Sequence, residues 1–390
     1  MHAVQGYLEK LGGNFMIAAF IPSLAFILAC LTAFQPLIPT ALFERMQNSL
    51  SPVGESGLVA LLVAIMMGFT LTSLNTYVYR LFEGYVLYDL LIPFRKLELK
   101  RARRIRSKLD LVHKKIDQLE AGIENWKKAR MPKYNAGRLE RIERRIINLK
   151  AQRDALTADY DLRYPPDESL ILPTRFGNIL RAAEAYSQSR YQIDSVPLWP
   201  RLVYAMDEKY MGHVDTANDQ CSFLLNSSLL SAIFAVLSFF ASSYQFFLLY
   251  GLFYGISGIV NITSPANPDV YIQRIFGYFM AGVFALGIAW FFYSASLLNV
   301  TKYGNLIRSS YDLFRFNLLD RLHLKLPPNI QKERRLWENV SEFITIGDAV
   351  APHLSVEWSR KSLQKWGSLA ESWDFSSARD TNEPTRVILP

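Results

Sequence analysis

Cysteine is scarce in this sequence, which limits the structural roles that thiols can play. The chain of 390 residues contains only Cys30 and Cys221. Both lie in or beside stretches that are predicted below to enter a membrane. Neither a disulfide framework nor a cysteine-based zinc site is therefore expected.

Sequence signatures of common enzymes are also missing. The chain has no Gly-rich phosphate loop ending in Gly-Lys-Ser or Gly-Lys-Thr, no His-Glu-x-x-His and no Gly-x-Ser-x-Gly. Its histidines are scattered, and His213 has acidic residues nearby, at Asp215 and Asp219. Two acids and one imidazole in a juxtamembrane loop are more typical of solvated side chains than of a metal site. We therefore expect no catalytic residue, no metal and no cofactor, and we do not expect an enzyme.

Charge is nearly absent from four long apolar blocks. These blocks are residues 14–38, 57–79, 221–250 and 275–298. Each has at least the roughly 20 residues that a helix needs to cross about 30 Å of hydrocarbon. Helices are favoured because every backbone polar group must be bonded internally in lipid. The sequence predicts an all-α integral membrane protein with four transmembrane helices, a cytoplasmic antiparallel coiled-coil hairpin and additional cytoplasmic helices.

The third block leaves two possibilities open. Its uncharged run continues from Cys221 to Asn261, which as a single helix would measure about 60 Å. Either the helix ends near Tyr250 or the run folds back and crosses the membrane twice.

Arginine and lysine are distributed unevenly around the four blocks. The two short connections carry only Arg45 and Arg274, whereas the long middle loop and the C-terminal tail are rich in cations. Cations in short flanking loops resist transfer across the bilayer. We therefore expect both termini and the middle loop to be cytoplasmic.

These expectations divide the chain into five segments. The first transmembrane pair occupies residues 1–92, and the second pair occupies 221–299. Between them lie a basic helical hairpin (93–164) and a cytoplasmic helical segment (165–220). Cytoplasmic helices and a flexible tail are expected in 300–390.

The hairpin is predicted from two series of apolar residues at heptad spacing. The first series is Ile105, Leu109, Val112, Ile116, Leu119, Ile123 and Trp126. The second is Leu139, Ile142, Ile146, Leu149, Leu156 and Tyr160, with Arg153 at one polar position. Such spacing is typical of a coiled coil. Because only a short stretch around Pro132 separates the series, the helices should pair antiparallel, with the first helix beginning near Pro93.

The first of these helices is strongly basic. From Arg95 to Lys115 there are ten Lys or Arg residues against Glu98 and Asp110. Such a cluster can rest on anionic lipid headgroups or bind a polyanion. Cations near Trp126 also fit single-stranded nucleic acid, whose bases stack on aromatic rings. The anion-binding residues predicted here are Arg101, Arg103, Arg104, Arg106, Lys127, Lys128 and Arg130.

Further basic residues follow in a segment for which Thr174 is a plausible helix N-cap. Here arginine can dock the helix through an ion pair such as Arg181 with Glu184, or it can line an anion pocket. The candidates for the pocket are Arg175, Arg181 and Arg201.

The membrane blocks also contain neutral polar residues at helical spacing. Small and hydroxyl residues in such stripes usually allow helices to pack closely. In an oligomer the same stripes can instead line a narrow, uncharged pore. The candidate pore-lining residues are Thr72, Asn75, Ser231, Ser238 and Gln245.

Several stretches resemble a largely uncharacterised group of bacterial four-helix membrane proteins. They are residues 173–184, 191–194, 199–202, 311–319, 326–327 and 333–337. In its plan the chain is also similar to the membrane effectors of Hailong-type anti-phage systems, in which a nucleotidyltransferase makes DNA oligomers that hold a membrane channel shut. The resemblance implies a multi-pass protein of the bacterial inner membrane and a role in anti-phage defence.

Two functional hypotheses follow. The first is an oligomeric channel-like effector gated by an anionic cytoplasmic ligand, such as a nucleotide or a single-stranded DNA oligomer. Its partners would be the lipid bilayer, further copies of the chain and that ligand. The alternative is a non-conducting membrane scaffold that docks a cytoplasmic protein through the hairpin.

Overall fold

Helices account for the regular structure of the chain. The computed structural model describes residues 15–37, 54–86, 88–128, 136–253 and 268–346, and no β-strand occurs within these ranges. The all-α class is therefore confirmed for the described residues. We number the helices α1 (Met16–Leu37), α2 (Gly54–Ser73), α3 (Asn75–Glu83), α4 (Tyr88–Lys128), α5 (Ala136–Arg163), α6 (Arg175–Tyr191), α7 (Ser195–Val203), α8 (Glu208–Phe253), α9 (Pro268–Arg321) and α10 (Ile330–Ile346).

Three of these helices, α1, α8 and α9, are long and apolar enough to cross a membrane. The second predicted block differs, because it forms α2 and α3, which are bent by 61° relative to each other. Before the bend, Thr70 and Thr72 donate hydroxyl hydrogen bonds to the carbonyl oxygens of Met66 and Gly68, each at 2.9 Å. Hydroxyl bonds of this kind often bend helices. The α2–α3 pair is a fourth candidate span only if it crosses as one bent unit.

The third and fourth blocks extend well beyond the lengths expected from hydropathy. Helix α8 is unbroken from Glu208 to Phe253, so the uncharged run is a single helix as far as that residue. The remainder of the run to Asn261 lies outside the described residues. Helix α9 continues to Arg321, and α10 follows from Ile330 to Ile346.

Helices α8 and α9 pack closely through small and hydroxyl residues. Ser228 donates a hydrogen bond to the carbonyl oxygen of Ala289 at 2.9 Å, and Ser242 donates to that of Ile275 at 3.0 Å. A Cβ atom added at Gly282 would lie 2.8 Å from the ring of Phe239. These contacts set the antiparallel register of the two helices.

The hairpin predicted from the heptad series is present. Val112, Ile116 and Ile146 form a buried cluster, and Lys150 of α5 lies 2.7 Å from Glu120 of α4. Helix α4 begins at Tyr88, earlier than the expected start near Pro93. Pro93 is therefore the sixth residue of α4, where it removes one intrahelical hydrogen bond.

The start of α6 is fixed by the end of α3. Thr174 is the predicted N-cap, since its hydroxyl accepts a hydrogen bond from the backbone N–H of Gly177 at 3.0 Å. The same hydroxyl donates to the carbonyl oxygen of Glu83 at 3.1 Å. Gly84 has a φ of 91°, a left-handed conformation that favours glycine. The turn and the cap together hold α6 against the helix that precedes the hairpin.

The chain forms two compact units, each assembled from segments distant in sequence. The first unit is Met1–Ala183 with Lys209–Ile307, and the second is Glu184–Glu208 with Arg308–Pro390. The five segments expected from the sequence are each contiguous, so their boundaries differ from those of the two units.

The second unit contains several of the stretches that carry the resemblance. The hydroxyls of Tyr186 and Tyr191 donate to the carboxylate of Asp312 at 3.0 and 2.6 Å. Arg315 lies over the Tyr191 ring and 2.8 Å from Glu333. Burial and the bond to Asp312 raise the pKa of Tyr191 to about 12. In this chain, these residues hold α6, α9 and α10 together.

The hairpin offers a matched test of its packing in two adjacent isoleucines. Ile146 is 7% exposed and belongs to the buried cluster, whereas Ile147 is 64% exposed. We expect Ile146→Asp to destabilise the protein by at least about 3 kcal/mol, because it buries a carboxylate without a partner. Ile147→Asp should change stability by less than about 0.5 kcal/mol. Thermal unfolding of the full chain in detergent measures both, and equal effects would show that this interface is not packed.

Candidate functional site

A pocket of about 710 Å³ lies in the first unit. It is enclosed by the base of the hairpin, the first turns of α6 and the interior of α9 around Leu298. It contains five cationic side chains and two carboxylates. The cations are Arg101, Arg104, Arg163, Arg175 and Lys302, and the acids are Glu98 and Asp159. We call this the hairpin-base pocket.

Helical periodicity explains how α4 supplies one wall of the pocket. Residues three and four positions apart share a face of a helix, so Glu98, Arg101 and Ile105 point the same way. The antiparallel partner α5 brings Asp159 and Arg163 to this level because its C-terminal end lies beside the base of α4. The pocket is thus a consequence of hairpin register.

The carboxylate of Glu98 is the buried centre of the pocket wall. Its residue is only 3% exposed, and it accepts a hydrogen bond from the hydroxyl of Tyr164 at 2.9 Å. It also pairs with Arg101 and lies 3.8 Å from Nε of Arg175. Burial, and then the neighbouring Glu98 charge, raise the pKa of the Tyr164 hydroxyl. This tyrosine therefore remains a neutral hydrogen-bond donor at physiological pH.

The remaining cations differ in how they are neutralised. Arg163 pairs with Asp159 at 2.8 Å, one turn away on α5. Within the described part of the chain, Arg104 and Lys302 have no ion-pair partner. Since five cations face two carboxylates, the pocket carries a surplus of positive charge.

The pocket lining also contains apolar side chains. They are Ile105, Leu162, Ile179, Leu297 and Leu298. A cavity lined by both cationic and apolar side chains suits an amphipathic ligand, because the cations bind its charged group while the apolar side chains cover its hydrophobic part.

Other arginines of the basic cluster are occupied by structural contacts. Arg103 and Arg106 pair with Glu168 at 2.9 and 3.2 Å. Arg95 donates to the carbonyl oxygen of Ile171 at 2.8 Å. These bonds tie the 165–171 segment to α4, and they use cations that the sequence alone assigns to a ligand.

The structure brings together only part of the predicted anion site. Arg101, Arg104 and Arg175 line the hairpin-base pocket. Lys128 pairs with Glu124 on its own helix, Arg181 is half-buried in α6, and Arg201 in the second unit donates to the carbonyl oxygen of Pro197. The side chain of Lys127 and all of Arg130 lie outside the described residues.

Of the residues that line the pocket, sequence reasoning assigned only Arg101, Arg104 and Arg175 to the site. The polar residues that it missed include Glu98, Arg163, Tyr164 and Lys302. Lys302 had a detectable signal, since it is the first charged residue after an uncharged stretch that begins behind Arg274. Tyr164 had none, because only the hairpin register places its hydroxyl beside Glu98.

The candidate pore residues occupy varied environments within one chain. Ser238 and Gln245 are buried, with a hydroxyl and a carbonyl oxygen that have no hydrogen-bond partner. Ser231 is half-buried and donates to the carbonyl oxygen of Ser227. Thr72 is exposed and Asn75 is half-buried. The cross-helix bonds of Ser228 and Ser242 favour close packing of α8, and a pore between copies stays a prediction.

Comparisons with known proteins give no match. No family model, no curated protein and no solved structure matches it. The described residues also contain no cluster of three or more His, Cys, Asp or Glu side chains that could hold a metal ion.

The contact between Glu98 and Tyr164 can be tested by substitution. We expect Glu98→Leu to destabilise the protein by about 1–3 kcal/mol, because the buried Tyr164 hydroxyl loses its acceptor. With Tyr164→Phe already present, the same change should cost measurably less. Glu140→Leu is the control, since Glu140 forms only an exposed pair with Arg144 on α5. Denaturant unfolding of the four variants measures the coupling, and an unchanged cost in the Phe background would contradict it.

Proposed function

We propose that this protein is a membrane-embedded, channel-like effector that binds an anionic ligand in the hairpin-base pocket. The observation that carries this proposal is the continuity of α9. One unbroken helix supplies both a candidate membrane span and the pocket residues Leu297, Leu298 and Lys302. A ligand held in the pocket therefore touches a helix that includes a candidate membrane span.

Charge provides the coupling between ligand and helix. Lys302 on α9 and Arg104 on α4 line the same pocket without ion-pair partners in the described chain. An anion in the pocket would attract both side chains and, through them, both helices. A ligand shifts a conformational equilibrium only through different affinities for the two states. We propose that the two states differ in the distance between α4 and α9.

For the membrane topology we propose four crossings of a bacterial inner membrane, with α2 and α3 crossing as one bent span. In this proposal the hairpin and both termini lie in the cytoplasm. It is supported by the ten cations between Arg95 and Lys115, which the positive-inside bias places on the cytoplasmic side.

The topology has a direct test. Reporter fusions at the turn between α4 and α5 and after Pro390 should both give a cytoplasmic signal. A fusion in the connection between α8 and α9 should give a periplasmic one. A periplasmic signal after Pro390 would overturn the four-crossing arrangement.

The conducting path is proposed to form between copies of the chain. Support comes from the neutral polar residues of α8, three of which keep a buried polar atom without a partner. They are Asn226, Ser238 and Gln245. Unpartnered polar atoms in a membrane helix are costly, so a rearrangement that exposes them to water would be favourable. Anti-phage defence and an oligonucleotide ligand remain predictions from the resemblance.

Ion flux from liposomes distinguishes this function from a scaffold. We expect the purified protein to conduct ions in one ligand state, and Ser238→Leu to abolish flux. The matched control is Ser243→Leu, because Ser243 is exposed on the same helix and bonds only to its own backbone. Gel filtration of both variants shows whether the oligomer still forms. If Ser238→Leu disrupts the oligomer, Ser238 belongs to a packing interface and not to the conducting path. Wild-type protein without flux in any ligand state would exclude a channel.

A second candidate function is a membrane scaffold, and a separate observation favours it. Leu111 and Ile147 are apolar but largely exposed on the surface of the hairpin. Exposed apolar side chains on a helical hairpin can form a docking surface for a cytoplasmic protein. The absence of flux combined with capture of a partner that is lost in Ile147→Asp would support this function.

A further inference from the structure

The hairpin-base pocket lies where α9 leaves its apolar span. No charged residue occurs between Arg274 and Lys302, and Lys302 is part of the pocket lining. Lysine at the end of a spanning helix extends its charge toward the lipid headgroups. The pocket is therefore level with the membrane surface on the hairpin side.

The lining of the pocket contains both cationic and apolar side chains. Arg104 and Lys302 supply charge without a partner among the described residues. Leu297 and Leu298 continue the apolar surface of α9 into the pocket, and Leu298 is 71% exposed. A purely ionic soluble ligand would leave these leucines in water, whereas a lipid would cover them with its acyl chain.

The acidic residues of the pocket do not oppose an anion. Glu98 is already bonded to Tyr164 and Arg101, and Asp159 is paired with Arg163. The guanidinium groups of Arg101 and Arg175 remain partly exposed beside them. Arginine forks of this kind bind phosphate oxygens with charge-assisted hydrogen bonds.

We propose that the hairpin-base pocket binds the phosphate of an anionic phospholipid, with Arg104 and Lys302 as its principal cationic contacts and Leu297 and Leu298 against the acyl chain. This inference rests on the proposed function, because it names the ligand class of the same pocket. The lipid thereby joins the base of the hairpin to α9. The cytoplasmic anion expected from the sequence would then act on the protein together with this lipid or at another surface.

The test compares lipid binding by two double variants of the full-length protein. Arg104→Gln with Lys302→Gln removes both unpaired pocket cations. Lys114→Gln with Lys115→Gln is the control, since both lysines are exposed on α4 outside the pocket. The control lysines are ten or more residues beyond Arg104, about 15 Å along the helix. That distance exceeds the screening length of about 8 Å at physiological salt.

Lipid retention is measured by native mass spectrometry after reconstitution with phosphatidylglycerol or with phosphatidylcholine alone. The wild type should retain phosphatidylglycerol in preference to phosphatidylcholine. The pocket variant should lose affinity for phosphatidylglycerol by about tenfold or more, and the control should stay within about twofold. Two single variants that keep Arg104 complete the comparison. Lys302→Arg keeps the charge and should retain most of the phosphatidylglycerol, whereas Lys302→Gln should retain less.

Three outcomes would overturn the inference. Equal losses in both double variants would mean diffuse attraction to the surface, and equal retention of the two lipids would mean no headgroup site. The third outcome is that inorganic phosphate or a short single-stranded oligonucleotide binds in a way that depends on Lys302 and displaces no lipid. That result would assign the pocket to a soluble phosphate. If the double variant does not fold, the comparison of Lys302→Gln with Lys302→Arg decides the question.

Flux measured on the same liposomes separates this inference from the proposed function. Specific lipid retention without any flux would leave the lipid site standing and reject the channel. Flux that persists while retention is nonspecific would reject the lipid site alone.

Discussion

The buried carboxylate of Glu98 is the interaction on which the hairpin-base pocket depends. A charge that is 3% exposed must be compensated, since an unpaired buried carboxylate costs several kcal/mol. Tyr164, Arg101 and Arg175 provide that compensation from three different parts of the chain. By satisfying one acid, these side chains hold α4, the end of α5 and the start of α6 in a single arrangement. The pocket cations are positioned as a result.

The arginines of the basic cluster on α4 have two different roles. Arg103 and Arg106 bind Glu168, and Arg95 binds backbone carbonyl oxygens of the same segment. These arginines hold a loop against the hairpin and are not available as a ligand site without breaking those contacts. Arg104 lies between them in sequence but faces the pocket. A helix turns about 100° per residue, so neighbouring cations in one cluster take different roles.

The two long apolar helices α8 and α9 raise a related question about buried polar residues. Ser228 and Ser242 donate across the α8–α9 interface, whereas Ser238 on the same helix keeps its buried hydroxyl unpartnered. Packing explains the first two residues directly. The third is the residue at which the packing and pore interpretations give different expectations, because close approach of the helices needs a small side chain there and a water path needs a polar one.

Periodicity and charge distribution determined much of this protein by themselves. The apolar blocks, the heptad series and the N-cap at Thr174 are local patterns, and the corresponding helices were predictable because helical hydrogen bonds and capping act within a few residues. Tertiary structure alone decided the burial of Glu98 beside Tyr164 and the inclusion of Arg163 and Lys302 in one pocket. These features depend on contacts between residues far apart in sequence. Their energies come from desolvation and charge compensation, which no local pattern records.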